Sequence, residues 1–99
     1  MDTIPAKELD WYVGRPGYLI VDLRSSTEFF RGHIRGAISV PEESMDCLRE
    51  ELKKEELILY CDRGSRSMSV ARDLEKKGWR TKTVVGGIKA YRGENMVGE

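Results

Sequence analysis

Cysteine and histidine are scarce in this chain of 99 residues, which contains two cysteines and one histidine. Two cysteines are too few to build the disulfide framework on which small secreted domains depend. The chain also lacks an excess of either charge, because Lys and Arg together number 17 and Asp and Glu together number 17. This balance provides no overall field that would attract nucleic acid or a membrane surface. Function must therefore reside in a local arrangement of residues.

Long apolar runs are also absent. No run approaches the roughly 20 apolar residues that a membrane-spanning helix needs. The N-terminal residues, MDTIPAKE, contain no basic stretch followed by an apolar one, so they do not resemble a signal peptide. We expect a single small domain over residues 1–99, located in the cytoplasm, where a free thiol stays reduced.

The most informative segment begins with a short β-prone run, residues 57–60, that leads into Cys61. A polar loop containing glycine follows, and a helical pattern of apolar residues begins near Met68. In such a turn the backbone N–H groups can converge on one point, and the helix N-terminus adds partial positive charge. Arg63 and Arg66 add full positive charges. Each feature favours the thiolate form of Cys61 and would also hold an anionic substrate.

Elsewhere, segments typical of strands and of helices alternate along the chain. A first helix is predicted from Thr3 as its cap and Pro5 in its first turn, and a later one from Met45, Leu48 and Leu52 on one face. This alternation predicts the α/β class, with a parallel sheet covered by helices on both faces. The predicted strands are residues 18–23, 37–40, 57–60 and 81–85, and the predicted helices are about 3–13, 25–31, 42–54 and 67–77, with a short last helix after residue 87.

Two predicted strands carry polar or reactive residues at their carboxyl ends. Cys61 follows the strand over residues 57–60, while Asp22 and Arg24 lie at the end of the strand over residues 18–23. Ligands of parallel sheets bind outside the carboxyl ends of the strands, so this edge is the predicted functional site. We interpret Asp22 and Arg24 as a structural ion pair that ties two strand ends together, with a catalytic role as the alternative.

Three segments, in this order, resemble the rhodanese-like (sulfurtransferase) domain. The first comprises VDLR at residues 21–24, EF at 28–29 and GHIRGAI at 32–38. The second, CDRGSRS at residues 61–67, is similar to the family's active-site loop Cys-x-x-Gly-x-Arg-Ser. The third is VGGIKAYRG at residues 85–93, and together the three span nearly the whole chain. The resemblance implies a rhodanese-like fold with a central, mostly parallel sheet and helices on both faces.

The resemblance also implies a sulfurtransferase in which Cys61 is the catalytic nucleophile. Its thiolate would take the sulfane sulfur of a donor such as thiosulfate and carry it as a persulfide. The acceptor would be cyanide, a thiol or a sulfur-carrier protein, and no metal, organic cofactor, nucleic acid or membrane is implied. The residues implied in substrate binding are those of the loop, namely Asp62, Arg63, Gly64, Ser65, Arg66 and Ser67.

Several loop residues also have a simpler structural interpretation. Gly64 permits a tight backbone turn, and Ser67 is equally suited to cap the following helix. Arg63 is as consistent with a solvated charge as with anion contact. The carboxylate of Asp62 would oppose a dianionic donor such as thiosulfate if it faced the pocket, which weakens the expectation that thiosulfate is the physiological donor.

The single histidine and the second cysteine are interpreted as structural. A persulfide cycle that starts from a thiolate needs no base, so His33 is predicted to make a structural hydrogen bond near the site. Cys47 precedes Leu48 in an amphipathic segment and is predicted to pack there, with a resolving thiol as the alternative.

Three other functions compete with thiosulfate sulfurtransfer. Tyrosine-type phosphatases also cradle an anion beside a cysteine, but they place five residues between Cys and Arg, whereas four separate Cys61 from Arg66 here. A non-catalytic rhodanese-like module would typically lack Cys61. A persulfide relay between protein partners would use the same chemistry with a polysulfide or desulfurase donor, and Asp62 makes it more attractive.

Overall fold

A computed structural model describes residues 1–98 of the chain, in which strands and helices alternate. The strands are β1 (Asp2–Pro5), β2 (Tyr18–Asp22), β3 (His33–Ile34), β4 (Ile38–Ser39), β5 (Glu56–Tyr60), β6 (Arg80–Val85) and β7 (Met96–Val97). The α-helices are α1 (Leu9–Tyr12), α2 (Ser26–Arg31) and α3 (Ser65–Lys76). Short 3₁₀ segments cover Ala6–Glu8, Glu42–Cys47, Glu50–Lys54 and Ile88–Ala90.

Five of these strands form one parallel sheet in the order β1-β6-β5-β2-β4. The predicted α/β class with a central parallel sheet is confirmed. β5 occupies the centre of the sheet, so the residue after it emerges at the middle of the carboxyl edge. β3 and β7 form a separate antiparallel pair, and neither strand was predicted from the sequence.

The core lies in two layers, one on each face of the sheet, because side chains of β5 alternate between faces. Ile58 and Tyr60 join the cluster beneath α1 and the last 3₁₀ segment. Leu57 and Leu59 join the cluster beneath α3, which also contains Cys61. The expected covering of both faces is therefore confirmed, and the alternation assigns Cys61 to the α3 face.

The predicted helix over residues 3–13 is wrong in its first part. Asp2–Pro5 forms the edge strand β1, paired in parallel with β6 from Asp2↔Lys82 to Pro5↔Val85. An edge strand tolerates proline, and Pro5 then precedes the first 3₁₀ turn. The local sequence does not indicate this strand, because β1 is stabilised by backbone partners about eighty residues away.

The predicted helix over residues 42–54 is also wrong, because two 3₁₀ segments are separated by extended backbone at Leu48 and Arg49. The apolar side chains Met45, Leu48 and Leu52 nevertheless pack against the α3-face cluster, as expected. Two short turns bury these side chains without a continuous helix, so their spacing did not specify one.

Within residues 1–98, no helix combines the length and apolar composition needed to cross a bilayer.

The ends of the helices follow local sequence signals. Ser25 caps α2 through a capping box with Glu28, and Gly32 ends the helix. Gly78 follows α3 with a φ of 94°, the left-handed conformation expected there. The start of α3 differs from the prediction, since the helix begins at Ser65 rather than at Ser67.

A polar contact ties the end of the chain to α1. The hydroxyl of Tyr91 donates to Asp10 Oδ1 at 2.5 Å, and Asn95 Nδ2 donates to the same oxygen at 2.8 Å. These hydrogen bonds, first from Tyr91 and then from Asn95, lower the pKa of Asp10 below its ordinary value. The contact anchors the segment that follows the last 3₁₀ turn.

The ionised form of Asp10 should therefore stabilise the fold. Because its pKa is lower in the folded chain, this contribution is present above the unfolded pKa of about 3.9 and is lost as the pH falls through the folded value. We expect Asp10→Asn to reduce the free energy of unfolding at pH 7, and the deficit relative to the wild type to shrink as the pH approaches about 3. Urea unfolding of both proteins over this range measures it, and a deficit that is constant with pH would contradict the assignment.

Candidate active site

Cys61 directly follows the central strand β5 and faces the α3 side of the sheet. It is 3% exposed. The backbone N–H of Gly64 donates to Cys61 Sγ at 3.1 Å, so a backbone amide is already directed at the sulfur atom. The structure thus holds a nearly buried thiol at the middle of the carboxyl edge, where parallel sheets bind ligands.

The loop from Cys61 leads into the N-terminus of α3. Gly64 is the N-cap of this helix and has a φ of 100°, a left-handed conformation that glycine adopts without strain. The N–H groups of the first helical residues have no carbonyl four residues earlier in the helix. They leave a partial positive charge at this end of a helix of 12 residues.

A second turn, at Gly86 and Gly87, packs directly against this loop. The N–H of Ile88 donates to the Cys61 carbonyl at 2.9 Å, and the N–H of Lys89 donates to the Asp62 carbonyl at 3.1 Å. A Cβ atom on Gly87 would overlap both of these carbonyl groups, and Gly87 has a φ of 64°. Only glycine fits this close approach between two backbones.

An open pocket of about 350 Å³ lies in front of Cys61. Four of its side chains are cationic and one is acidic, so positive charge predominates. This volume is within the range of small-molecule sites. The residues that line it are Arg24, Cys61, Asp62, Arg63, Ser65, Arg66 and Lys89.

The structure separates the six predicted loop residues into two groups. Asp62, Arg63, Ser65 and Arg66 line the pocket, and of these Asp62 is the one that is partly buried. Gly64 and Ser67 are buried and lie outside the lining. Ser67 is the third residue of α3, not its N-cap, and its hydroxyl donates to the Gly64 carbonyl at 3.0 Å.

Lys89 lines the pocket although it is not among the site residues predicted from the sequence. It follows the Gly86–Gly87 turn and reaches the site because that turn packs against the Cys61 loop. The third segment of the family resemblance contains this lysine, and only that match could have drawn attention to it.

Asp22 and Arg24 form an ion pair beside the pocket, with Arg24 Nη2 2.8 Å from Asp22 Oδ2. The pair joins the last residue of β2 to the turn that follows it, instead of joining two strand ends. Arg24 Nη2 also donates to the carbonyl of Gly32, which ends α2. Although burial opposes ionisation, Asp22 raises the pKa of Arg24 above its ordinary value. Burial and then Asp22 also raise the pKa of Tyr60, which lies under the guanidinium group.

His33 is outside the pocket lining. Its ring stacks on Phe29 at 3.7 Å between centroids, and its Nδ1 lies 2.7 Å from the Phe29 carbonyl. A carbonyl oxygen only accepts hydrogen bonds, so Nδ1 carries a proton in this contact. These contacts attach β3 to the end of α2 and are those of a structural residue.

Cys47 is exposed, so the expectation that it packs on an amphipathic helix is wrong. It ends a 3₁₀ segment and lines a separate, largely apolar groove with Leu48 and Leu52.

Within residues 1–98, no three His, Cys, Asp or Glu side chains are grouped so that they could hold a metal ion.

Comparison with known proteins assigns a family to this arrangement. The Rhodanese-like domain family matches residues 5–94. The chain belongs to the rhodanese-like family. A crystal structure of a rhodanese-like domain protein from Staphylococcus aureus has a TM-score of 0.86 and 30% identity, covering 100% of this chain and 99% of that one. The fold and the family predicted from the sequence are confirmed.

Two curated relatives carry sulfurtransferase names. The putative sulfurtransferase YtwF of Bacillus subtilis is 33% identical over 76 residues, which cover 76% of this chain and 74% of the relative. A tRNA sulfurtransferase of Desulfurococcus amylolyticus is 34% identical over 74 residues, which cover 75% of this chain and 15% of the relative. This rhodanese-like chain therefore matches only a small part of the second protein.

The close approach at Gly87 should be essential to the site of this rhodanese-like chain. We expect Gly87→Ala to destabilise the fold by more than about 3 kcal/mol, because it adds a backbone clash to the 1–2 kcal/mol strain of a left-handed residue. Gly36→Ala is the matched control, since Gly36 has a φ of 82° and nothing within 4 Å of its added Cβ. Urea unfolding measures both variants, and equal losses of stability would contradict the role of the packed turn.

Proposed function

We propose that this chain is a sulfurtransferase that carries sulfane sulfur as a persulfide on Cys61. The observation that carries the proposal is a nearly buried thiol with a backbone amide directed at its sulfur, inside a pocket with four cationic side chains. Such surroundings favour an anionic sulfur atom and an anionic donor at the same place. Family membership and the names of two relatives support the same chemistry.

The proposed reaction has two displacement steps. The Cys61 thiolate attacks the outer sulfur of thiosulfate, a new S–S bond forms to Cys61, and sulfite leaves with the electron pair of the bond that breaks. An acceptor such as cyanide then attacks the terminal sulfur of the persulfide. Thiocyanate leaves and the thiolate returns, so no external oxidant or reductant is consumed.

The other pocket residues suit the charges that these steps involve. The free N–H groups at the start of α3 can stabilise the terminal persulfide anion, as donors do in an oxyanion hole. Arg63, Arg66 and Lys89 are exposed side chains on the pocket wall and can attract the donor from solution. Ser65 supplies an uncharged donor on the same wall.

Phosphate-ester hydrolysis is less well supported. The arginine of a tyrosine-type phosphatase loop would occupy the position of Ser67. That side chain is fully buried and donates to the Gly64 carbonyl, so it lies away from the pocket. Replacing it with arginine would bury a charge at the start of α3.

A persulfide relay between proteins is the second candidate, and Asp62 favours it. Asp62 lines the pocket, and a carboxylate facing the donor would repel a dianion such as thiosulfate more than a protein persulfide with at most one negative charge. One relative is named a tRNA sulfurtransferase, which is consistent with delivery of sulfur to a partner. The relay and the thiosulfate reaction share the same Cys61 persulfide.

Intact-protein mass spectrometry tests the persulfide directly. After incubation with thiosulfate or polysulfide, the wild-type chain should gain about 32 mass units, and the gain should disappear on reduction. Cys61→Ser should show no gain, because it removes the attacking thiolate. Cys47→Ser is the matched control and should gain sulfur as the wild type does. An adduct that persists in Cys61→Ser, or is lost in Cys47→Ser, would assign the chemistry to the wrong thiol.

Steady-state kinetics test the role of Asp62. Asp62→Asn should lower the KM for thiosulfate roughly fivefold, since removing one nearby repulsive charge is worth about 1 kcal/mol. The kcat should change little. Asp73→Asn is the matched control, because Asp73 is an exposed acid on α3 outside this pocket. A KM that is the same in Asp62→Asn and wild type would mean that the carboxylate does not face the bound donor.

A further inference from the structure

Arg24 differs from the other cations of the pocket because it is fixed in place. Its side chain is 10% exposed, whereas Arg63, Arg66 and Lys89 are exposed residues. Asp22, which is fully buried, accepts from both Nε and Nη2 of Arg24. The carbonyl of Gly32 accepts a further hydrogen bond from Nη2. The guanidinium group therefore has one orientation without any ligand.

Part of the Arg24 guanidinium group has no hydrogen-bond partner in the protein. A guanidinium group has five N–H donors, one on Nε and two on each terminal nitrogen. The Nε proton is directed at Asp22, and the two Nη2 protons are used by Asp22 and Gly32. Across residues 1–98, no hydrogen bond satisfies Nη1, and Ser39 Oγ is the one buried side-chain nitrogen or oxygen left without a partner. Nη1 therefore has no protein partner and is not fully buried, and Arg24 is one of the residues that line the Cys61 pocket.

We propose that Arg24 is an anion-recognition residue whose Nη1 binds an oxyanion group of the ligand that reacts at Cys61. The ion pair with Asp22 then has two consequences: it fixes a strand end, and it holds two N–H donors at the pocket wall. A pre-oriented guanidinium loses little conformational entropy when it binds a carboxylate or sulfonate, unlike an exposed lysine or arginine. The proposal deepens the proposed sulfurtransferase function, since its relevance to sulfur donors rests on that function.

Alkylation of Cys61 by two matched reagents tests the recognition without any sulfur transfer. Iodoacetate and iodoacetamide undergo the same reaction, in which a bond forms from Cys61 Sγ to carbon and iodide leaves. Only iodoacetate carries an oxyanion. The ratio of the two alkylation rates therefore measures anion recognition, because the thiolate content of Cys61 and steric access affect both rates equally and cancel in the ratio. The measurement is made in Cys47→Ser protein, so that the exposed second thiol does not react.

The decisive variant removes both charges of the pair. Asp22→Asn combined with Arg24→Gln keeps the net charge unchanged and leaves no uncompensated buried ion. We expect the iodoacetate-to-iodoacetamide ratio to fall about tenfold, the loss expected for a charge-assisted hydrogen bond. Arg72→Gln, an exposed arginine on α3 outside the pocket, should change the ratio less than twofold.

A second variant keeps the test valid if the double variant does not fold. Arg24→Lys retains a positive charge opposite Asp22 but has no further nitrogen to direct at the pocket, so the ratio should again fall while the iodoacetamide rate is retained. An unchanged ratio in either folded variant would overturn the proposal and leave Arg24 purely structural. A fall in the ratio without any persulfide on the wild-type chain would support anion recognition while rejecting the sulfurtransferase function.

Discussion

The candidate site depends on one backbone-to-backbone contact, in which the turn after β6 rests on the loop after β5. The carbonyl groups of Cys61 and Asp62 accept hydrogen bonds from Ile88 and Lys89, so they are held on the side of that turn. The N–H groups of the loop and of the first turn of α3 are then free to face the pocket. Gly87 makes the contact possible because a side chain there would occupy the space of the Cys61 and Asp62 carbonyls.

Residues from separate segments give a chain with no net charge a pocket in which positive charge predominates. Arg63 and Arg66 come from the loop and the first turn of α3, Lys89 comes from the turn that packs on the loop, and Arg24 comes from the residues just after the neighbouring strand β2. Three separate segments therefore contribute positive charge at the carboxyl edge of the sheet. The short range of charge interactions in salt solution makes this local excess more important for ligand binding than the balanced total.

The parts of this structure that local sequence encodes were predictable, and the parts that depend on distant partners were not. The run into Cys61, the glycine-containing loop and the helix after it follow one another in the chain, so their geometry follows from local preferences. β1 exists because β6 lies beside it, and Lys89 reaches the pocket because two turns pack together. The prediction of a helix over residues 42–54 was wrong for another reason, since the apolar spacing there is compatible with both a helix and two 3₁₀ turns.

The Asp22–Arg24 pair shows why a residue near a site should not be classed as either structural or functional. A buried ion pair contributes little net stability, because removing two charges from water costs about as much as their attraction returns. Holding a strand end is thus a weak reason for a charged pair at this position, where apolar residues would serve as well. An arginine with three donors fixed by the protein and two without a protein partner, at the wall of the pocket that contains Cys61, has a further physical consequence. The same hydrogen bonds that make Arg24 rigid are the ones that orient its free edge toward an incoming anion.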